Sequence, residues 1–461
     1  MTIDQYRDIV FTPPPTPNGG LHIGHVAGPY LRADLHTKLL NLLGGRAQHS
    51  SHIDNYQTYV AKKAQEVGRE VEEFRRSMID QIDRDYACFG IGFDQRVDNT
   101  TPAYRAYLAA CLDELFLDER AVARAEFVGS DENRSAVEAF VSGTCPVCFQ
   151  HAFANVCENC GSPLDVTRMI HPVEEPSGAA VFTELPAGPA PTVLEITEQD
   201  LTWLRDRNRS IAIDNRFIDA LTGRLGAHTV TLTMRGDYGY AVGPGRVVNP
   251  WIDIFFAHAY ALARMLGLPA DVTPDRVRDE LSRHPELRVT YYFGVDNSYY
   301  YSVLFPVLAR ITGMTAMLPA ALKANRFLKL NGRKVSSSRN NVIWAREIAG
   351  THSATVLRGA LSSACPEYSE ADFRESMLTE RSSWRSATGK SRDIFESPRT
   401  EIGKLFRANL IDLADPAEFS VGDLLNRLDK AMEFANSSRA GYRESEEIAQ
   451  MVAYLCASLD I

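Results

Sequence analysis

No apolar run in the chain approaches the 18 residues that suggest a membrane-crossing helix, and the opening Met1-Thr-Ile-Asp-Gln-Tyr-Arg7 lacks the form of a secretory leader. Both absences point to a cytoplasmic protein without membrane contact. Dense runs of Lys or Arg are missing too: 49 basic residues face 59 acidic ones, for a formal net charge of -10. A protein that grips a polyanion usually shows a basic face, because phosphate neutralisation supplies most of the affinity. The charge balance therefore argues against a large nucleic-acid footprint without excluding a local patch. Cysteine is sparse, eight in 461 residues, and four of the eight form two Cys-x-x-Cys units, which suits a reducing compartment better than a disulfide scaffold. Internal repeats and low-complexity tracts are also lacking. What remains is a chain that is 45% hydrophobic and 23% charged, typical of a globular protein, and long enough for two or three domains.

The most informative stretch is Thr12-Pro-Pro-Pro-Thr-Pro-Asn-Gly-Gly-Leu-His-Ile-Gly-His25. It follows Asp8-Ile-Val-Phe11, which reads as a short buried strand. Glycines at 19, 20 and 24 let the backbone turn and approach a ligand closely. A helix is predicted from about Val26 to Leu43, so its unpaired N–H groups and positive dipole end face whatever binds at the strand edge. His22 and His25 stand beside that helix start, where their imidazoles suit donation to a phosphate that gains charge during attack.

Further along, Cys145-Pro-Val-Cys148 and Cys157-Glu-Asn-Cys160 can bring four thiolates onto a tetrahedral Zn2+. Four thiolates close the site to substrate, so the metal would be structural, holding a segment too small to build its own core. Residues 8 to about 115 alternate short apolar runs with helical patterns, as a parallel α/β sheet does. Residues 116 to about 230 break that pattern and contain the cysteines, so they read as an insertion. Strand character returns at Val230-Thr-Leu-Thr-Met-Arg235, a helix is predicted over Trp251 to Leu266, and Tyr291 to Thr312 reads as strand, loop and helix. From about 372 the pattern is helical, with breaks at Ser397-Pro398 and Asp415-Pro416.

His22-Ile-Gly-His25, the cysteine pairs, Tyr292-Phe-Gly-Val-Asp-Asn-Ser-Tyr-Tyr-Tyr-Ser302 and Leu330-Asn-Gly-Arg-Lys-Val-Ser-Ser-Ser-Arg339 occur in one order. In that order the chain, from residue 8 to about 375, resembles the class I aminoacyl-tRNA synthetases, and within them the methionyl-tRNA synthetase branch. The resemblance implies an α/β fold: a Rossmann-like parallel sheet with an inserted zinc-knuckle connective domain and a C-terminal α-helical bundle. Residues 1–115 would form the first half of the catalytic domain, and 116–230 the insertion with its knuckle at 145–160. Residues 231–325 would form the second half, 326–371 the flap and stem-contact region, and 372–461 a shortened bundle. It also implies ATP with Mg2+ as the energy source and structural Zn2+.

The same resemblance suggests roles for particular residues. His22, His25 and Lys334 would stabilise phosphate charge, with Gly24, Asp296, Ser336 and Ser338 also at the nucleotide and Asp296 on its ribose. Asp54 would hold the ammonium group of an amino acid, and Arg235 matches an arginine that faces the reacting carboxylate. Where the family has Lys-Met-Ser-Lys-Ser, this chain has Lys334-Val-Ser-Ser-Ser338, so its second lysine is Ser337. That change predicts slower activation, or help from Arg333 or Arg339. The pattern by which the family's helical domain reads an anticodon should fall near Glu375–Lys390, which contains no Asn.

The side-chain pocket departs from the methionine pattern at several places together. Pro14 and Trp251 line it. Thr16 stands for a tyrosine, Phe255 for a proline, His258 for a tyrosine, Asn297 for an isoleucine and Tyr301 for a histidine. A thioether favours an apolar, polarizable pocket, so methionine is disfavoured as substrate, while Asp54 retains an α-amino acid. The chain also looks like the synthetase-like units of natural-product pathways, including hydrazine-forming synthetases. Its expected activity is ATP-dependent amino acid activation, followed by acyl transfer to a small-molecule hydroxyl or N-hydroxy amine, with a cupin partner on another chain. The alternatives are a methionine–tRNA ligase that charges tRNA and a non-catalytic binding paralogue.

Overall fold

The computed structural model describes residues 3–124, 126–128, 138–164, 166–175, 177–178, 183–185, 191–214, 216–335, 341–380, 391–437 and 441–461. Its centre is a six-stranded parallel sheet built from β1 (Arg7–Phe11), β2 (Arg46–His52), β3 (Gln95–Val97), β4 (Ala212–Ile213), β5 (Leu287–Gly294) and β6 (Pro319–Asn325), in the order β4-β6-β5-β1-β2-β3. Ile9, Val10 and Phe11 are wholly buried, as expected for a strand covered on both faces. From β1 the chain steps outward to β2 and β3, then returns on the other side of β1 with β5 and β6. This reversal between β1 and β5 leaves a crevice at their carboxyl ends, the usual ligand position in such sheets.

The helix predicted from about Val26 starts earlier and is interrupted. A single turn at Ile23–His25 leads into a wide π turn over Val26–Tyr30, and only then into the regular helix α1 (Leu31–Leu42). Pro29 explains the interruption: it has no N–H to donate, and its ring crowds the preceding turn. Gly28 is required there, since a Cβ would lie 2.7 Å from Asn325 Nδ2 at the end of β6. Helix α2 (Pro250–Met265) is buried along most of its length, as a helix apolar on all sides should be.

Residues 116–230 are not wholly an excursion from the sheet. Ala212–Ile213 return to it as β4, beside β6. Two residues are too few to show a strand period, and their pairing depends on a partner more than 100 residues away. Beyond β6, Leu328–Leu330 turns back on Arg333–Lys334 through Asn331-Gly332, both at positive φ (53° and 76°), as a tight two-residue hairpin requires. Ala371–Phe373 then pairs in parallel with Leu328–Leu330, so the first residues assigned to the bundle belong with the hairpin instead.

The C-terminal helices α3 (Glu401–Leu413), α4 (Val421–Ala435) and α5 (Tyr442–Leu459) follow the two predicted proline breaks. Leu424, Leu428, Met451 and Leu455 join Leu35 and Leu39 of α1 in one apolar core. Buried charges cross the same boundary. Arg32, fully buried on α1, pairs with Asp214 at 2.5 Å and with Glu367 at 2.8 Å. Glu367 also accepts from the amides of Val421 and Gly422 and from the Ser420 hydroxyl, so it caps the start of α4. Residues 381–390, where most of the anticodon-pattern segment falls, lie outside the described residues. No helix among the described residues is long and apolar enough to cross a membrane.

Candidate functional site: a nucleotide and amino acid crevice

The turn that follows β1 is held by its own histidines. His22 Nδ1 accepts from the amides of Gly24 (3.1 Å) and His25 (3.3 Å), while His25 Nδ1 accepts from the His22 amide (3.3 Å). Their rings stack with centroids 3.6 Å apart. An imidazole that accepts at Nδ1 carries its proton at Nε2, so each ring presents an Nε2–H donor. His25 is open to solvent yet surrounded by protein, and that surrounding mass pulls its pKa down, favouring the neutral ring. A side chain at position 24 would press within 3.0 Å of the His22 ring. Leu21 donates its amide to Asp85 Oδ2 at 2.7 Å, which fixes the turn from below.

The flap region meets this turn. The Ile23 amide donates to Ile343 O (3.1 Å) and the Ala345 amide to Leu21 O (2.9 Å), so the chain after the flap pairs with the turn. The Trp344 ring lies 6.5 Å from that of His22 and packs over Gly19. Before the flap, Val335 is buried against Gly24, 3.7 Å from where a Cβ would stand. Asn341 Nδ2 donates to Arg333 O at 3.1 Å, tying the two sides together. Arg333 itself is exposed. Ser336, Ser337, Ser338, Arg339 and the Lys334 side chain lie outside the described residues.

Asp296 and Asn297 occupy a single 3-10 turn at the carboxyl end of β5, the strand beside β1, and both are half-buried. A Cβ at Gly294 would collide with the Asp296 carboxylate, so glycine there lets the carboxylate fold back over the strand end.

Asp54 lies just past the carboxyl end of β2. It is buried, its amide donates to Pro15 O at 3.1 Å, and its Oδ2 accepts from the Thr16 hydroxyl at 3.4 Å. Gln57 supplies a second side-chain donor. Burial pushes the Asp54 carboxyl well above the usual range, and among the described residues it forms no ion pair. Pro14 is buried in the same turn. Trp251 stacks on Tyr300 (3.5 Å between centroids) and stands perpendicular to Tyr301 at 6.2 Å. Phe255 and His258, three residues apart on α2, both pack against Phe305. Arg235 ends a strand in a separate small sheet, and the loop after it reaches the Asp54 segment through Tyr238 Oη, which donates to Asn55 O at 2.6 Å.

The four cysteines converge. Their sulfurs all lie within 4.8 Å of one another, with Cys145–Cys160 at 3.7 Å and Cys148–Cys157 at 3.6 Å. Four Zn–S bonds of about 2.3 Å in a tetrahedron place sulfurs about 3.8 Å apart, so the set fits zinc. Phe149 and Gly161 close the two knuckles alike: each adopts positive φ and donates its amide to the carbonyl of the first cysteine. Glu138, in the 3-10 turn before the strand that leads into the knuckle, accepts from Thr58 Oγ1 at 2.7 Å and Asn155 Nδ2 at 2.8 Å. It thereby links the knuckle to the helix that follows Asp54.

Sequence reasoning missed Asp85, Glu138 and Trp344, whose roles depend on partners 60 or more residues away. It also missed His52, which ends β2 two residues before Asp54 and could have been found from that spacing.

A parallel sheet with a His-x-Gly-His turn at the end of one central strand, an acidic turn at the end of its neighbour and a cysteine knuckle in the crossover defines a class I synthetase catalytic domain. The family model described as tRNA synthetases class I (M) matches residues 9–384, and the chain belongs to that family. Its relatives include methionine–tRNA ligases from Christiangramia forsetii, 25% identical over 381 residues (78% of this chain, 52% of that protein), and from Salinibacter ruber, 27% identical over 467 residues (93% and 62%). The chain thus spans about half to three fifths of the length of these relatives. In fold it is similar to a Mycobacterium tuberculosis methionyl-tRNA synthetase in complex with methionyl-adenylate, with a TM-score of 0.64 and 14% identity over 98% of this chain and 89% of that one.

Proposed function

We propose that the chain activates an amino acid with ATP, forming an aminoacyl-adenylate and releasing pyrophosphate, and then passes the acyl group to a small-molecule hydroxyl or N-hydroxy amine. The observation that supports this reading is that the His22–His25 pair, Asp54 and Asp296 follow the carboxyl ends of three adjacent strands, β1, β2 and β5, with Asp54 buried and paired with no cation among the described residues. An amino acid carboxylate oxygen attacks the α-phosphorus and pyrophosphate departs. Negative charge grows on the phosphate oxygens, where the two Nε2–H donors would stabilise it. Lys334 and serines 336 and 338 would reach the triphosphate from the flap. Asp296 would accept from the ribose hydroxyls, and Mg2+ would accompany the nucleotide. Asp54 would hold the ammonium group, and no side chain serves as nucleophile. Positioning and charge stabilisation supply the rate.

The acceptor reading rests on the acidic net charge, the missing Asn in Glu375–Lys390 and the departures in the side-chain pocket. If the product ester rearranges to a hydrazine, a cupin partner would carry that step. A second reading, favoured by the names of the relatives, is a ligase that charges tRNA with methionine. ATP–pyrophosphate exchange over an amino acid panel, with hydroxylamine as surrogate acceptor and a parallel tRNA-charging assay, separates the two. Hydroxamate formed without RNA, and no charging of tRNA with methionine, supports the proposal. Methionine exchange followed by tRNA charging overturns it. Absence of exchange with every amino acid favours a binding protein.

A further inference from the structure

Behind Asp54 lies a group of polar side chains that the described residues leave unbonded. His52, His258 and Tyr301 are each at most 1% exposed, and among the described residues both ring nitrogens of His52, both of His258 and the Tyr301 hydroxyl have no hydrogen-bond partner. The three belong together: His52 and His258 meet edge to face at 5.1 Å between centroids, and His258 lies 6.3 Å from Tyr301. The idea that these groups satisfy one another, which would make them a sealed polar core, does not hold. Leaving a buried donor or acceptor unmet costs about 1–3 kcal/mol per group, and native proteins rarely gather several such atoms in one spot unless something else meets them.

The cluster adjoins the place where an amino acid would sit. His52 precedes Asp54 by two residues at the same strand end, and Tyr301 is close enough to Asp54 for the carboxylate's charge to reach its hydroxyl. The wall around the cluster is aromatic and tight. Phe11 packs 4.5 Å from His258, Phe293 stacks on Tyr301 at 4.8 Å, and Phe255 and Phe305 close the far side, all at most 1% exposed. So little room suits only a short substituent. Burial holds both imidazoles in the neutral form. Each neutral ring offers one donor and one acceptor, and the phenol offers both. Such a set matches a hydroxyl or carboxamide, whereas an ionic side chain would be buried without a counter-charge.

We infer that the amino acid taken at this site has a short, uncharged polar side chain, read by hydrogen bonds from His52, His258 and Tyr301. The inference rests on the amino acid activation reading above, and its test separates the two. Affinities of aminoacyl-sulfamoyl adenosines, stable mimics of the adenylate, are measured by calorimetry for the glycyl, alanyl, seryl, threonyl, asparaginyl and methionyl members. A polar member is expected to bind at least about tenfold more tightly than the alanyl and methionyl ones, as a site built to bond a polar group rejects the analogue lacking it. Tyr301→Phe removes only an unpartnered oxygen, so the free protein should melt no lower than before while the polar preference shrinks. His258→Phe gives a second reading of the same loss. Tightest binding by the methionyl member, or equal binding of alanyl and seryl members, overturns the inference and leaves activation standing. Failure of all six to bind overturns both.

Discussion

Asp54→Asn is the sharpest test of the amino acid site. The carboxylate is buried, takes hydrogen bonds only from neutral Thr16 and Gln57 side chains, and pairs with no cation among the described residues. An ammonium group placed about 3 Å away would gain about 5 kcal/mol at an effective dielectric of about 20. Stripping water from the ammonium offsets part of that, leaving about 2–3 kcal/mol, as for hydrogen bonds to charged groups. Converted at 1.4 kcal/mol per tenfold, Asp54→Asn should raise the amino acid KM about 30- to 150-fold, with a much smaller change in the KM for ATP. Stability should move the other way. Because burial raises the folded pKa, the stabilising contribution of the protonated carboxyl is fully present below the unfolded pKa and is lost as pH rises through the folded value. The Asn variant has no such loss, so its melting temperature should match or exceed that of the natural protein at neutral pH, with the margin narrowing in acid. Pyrophosphate exchange and thermal melts between about pH 5 and 8 read both quantities. An unchanged amino acid KM would refute the ammonium role, and a lower melting temperature at neutral pH would refute the picture of an uncompensated carboxylate.

Other perturbations bear on neighbouring parts of the argument. Replacing His22 with Ala removes one phosphate donor and should lower the exchange kcat by about 10²- to 10³-fold, most of it visible in single-turnover adenylate formation; a kcat within threefold would count against the donor role. Stripping zinc with a chelator should release one equivalent of metal per chain by elemental analysis. It should also raise the amino acid KM, since Glu138 ties the knuckle to the helix after Asp54; unaltered kinetics in the metal-free protein would disconnect the two. Glu367→Ala leaves buried Arg32 with one partner fewer and should cost about 3–5 kcal/mol in denaturant titration, against little change if the pair were dispensable.

Local chemistry makes much of the site legible in the sequence. Gly-rich turns beside a short apolar strand, paired Cys-x-x-Cys units and Pro-broken helices each announce themselves within a dozen residues, and β1, the knuckle and α3 to α5 formed where their patterns stand. The helix after His25 stands where its pattern predicts, but its opening turns are interrupted by Pro29, a local effect that the apolar period around it does not reveal. β4 stayed hidden because two residues show no alternation. The pairing of Leu21–Ile23 with Ile343–Ala345 and the Arg32–Glu367 contact were invisible for a different reason: each joins segments more than 300 residues apart, and neither half carries a signal alone. Polar residues at 258 and 301 are legible as departures, but only their burial shows that they lack partners among the described residues.

Arg32 stands on the helix whose preceding turn carries both histidines, and its charge is answered by the carboxylate that seats α4. Shortening the protein before its last three helices would keep Glu367 but remove the Ser420 hydroxyl and the Val421 and Gly422 amides that hold it, loosening the anchor of Arg32 beneath the turn that carries the histidines. Even a descendant that no longer touches an anticodon would then have reason to keep those helices. For such an enzyme they would be the foundation on which the reactive end of the molecule rests.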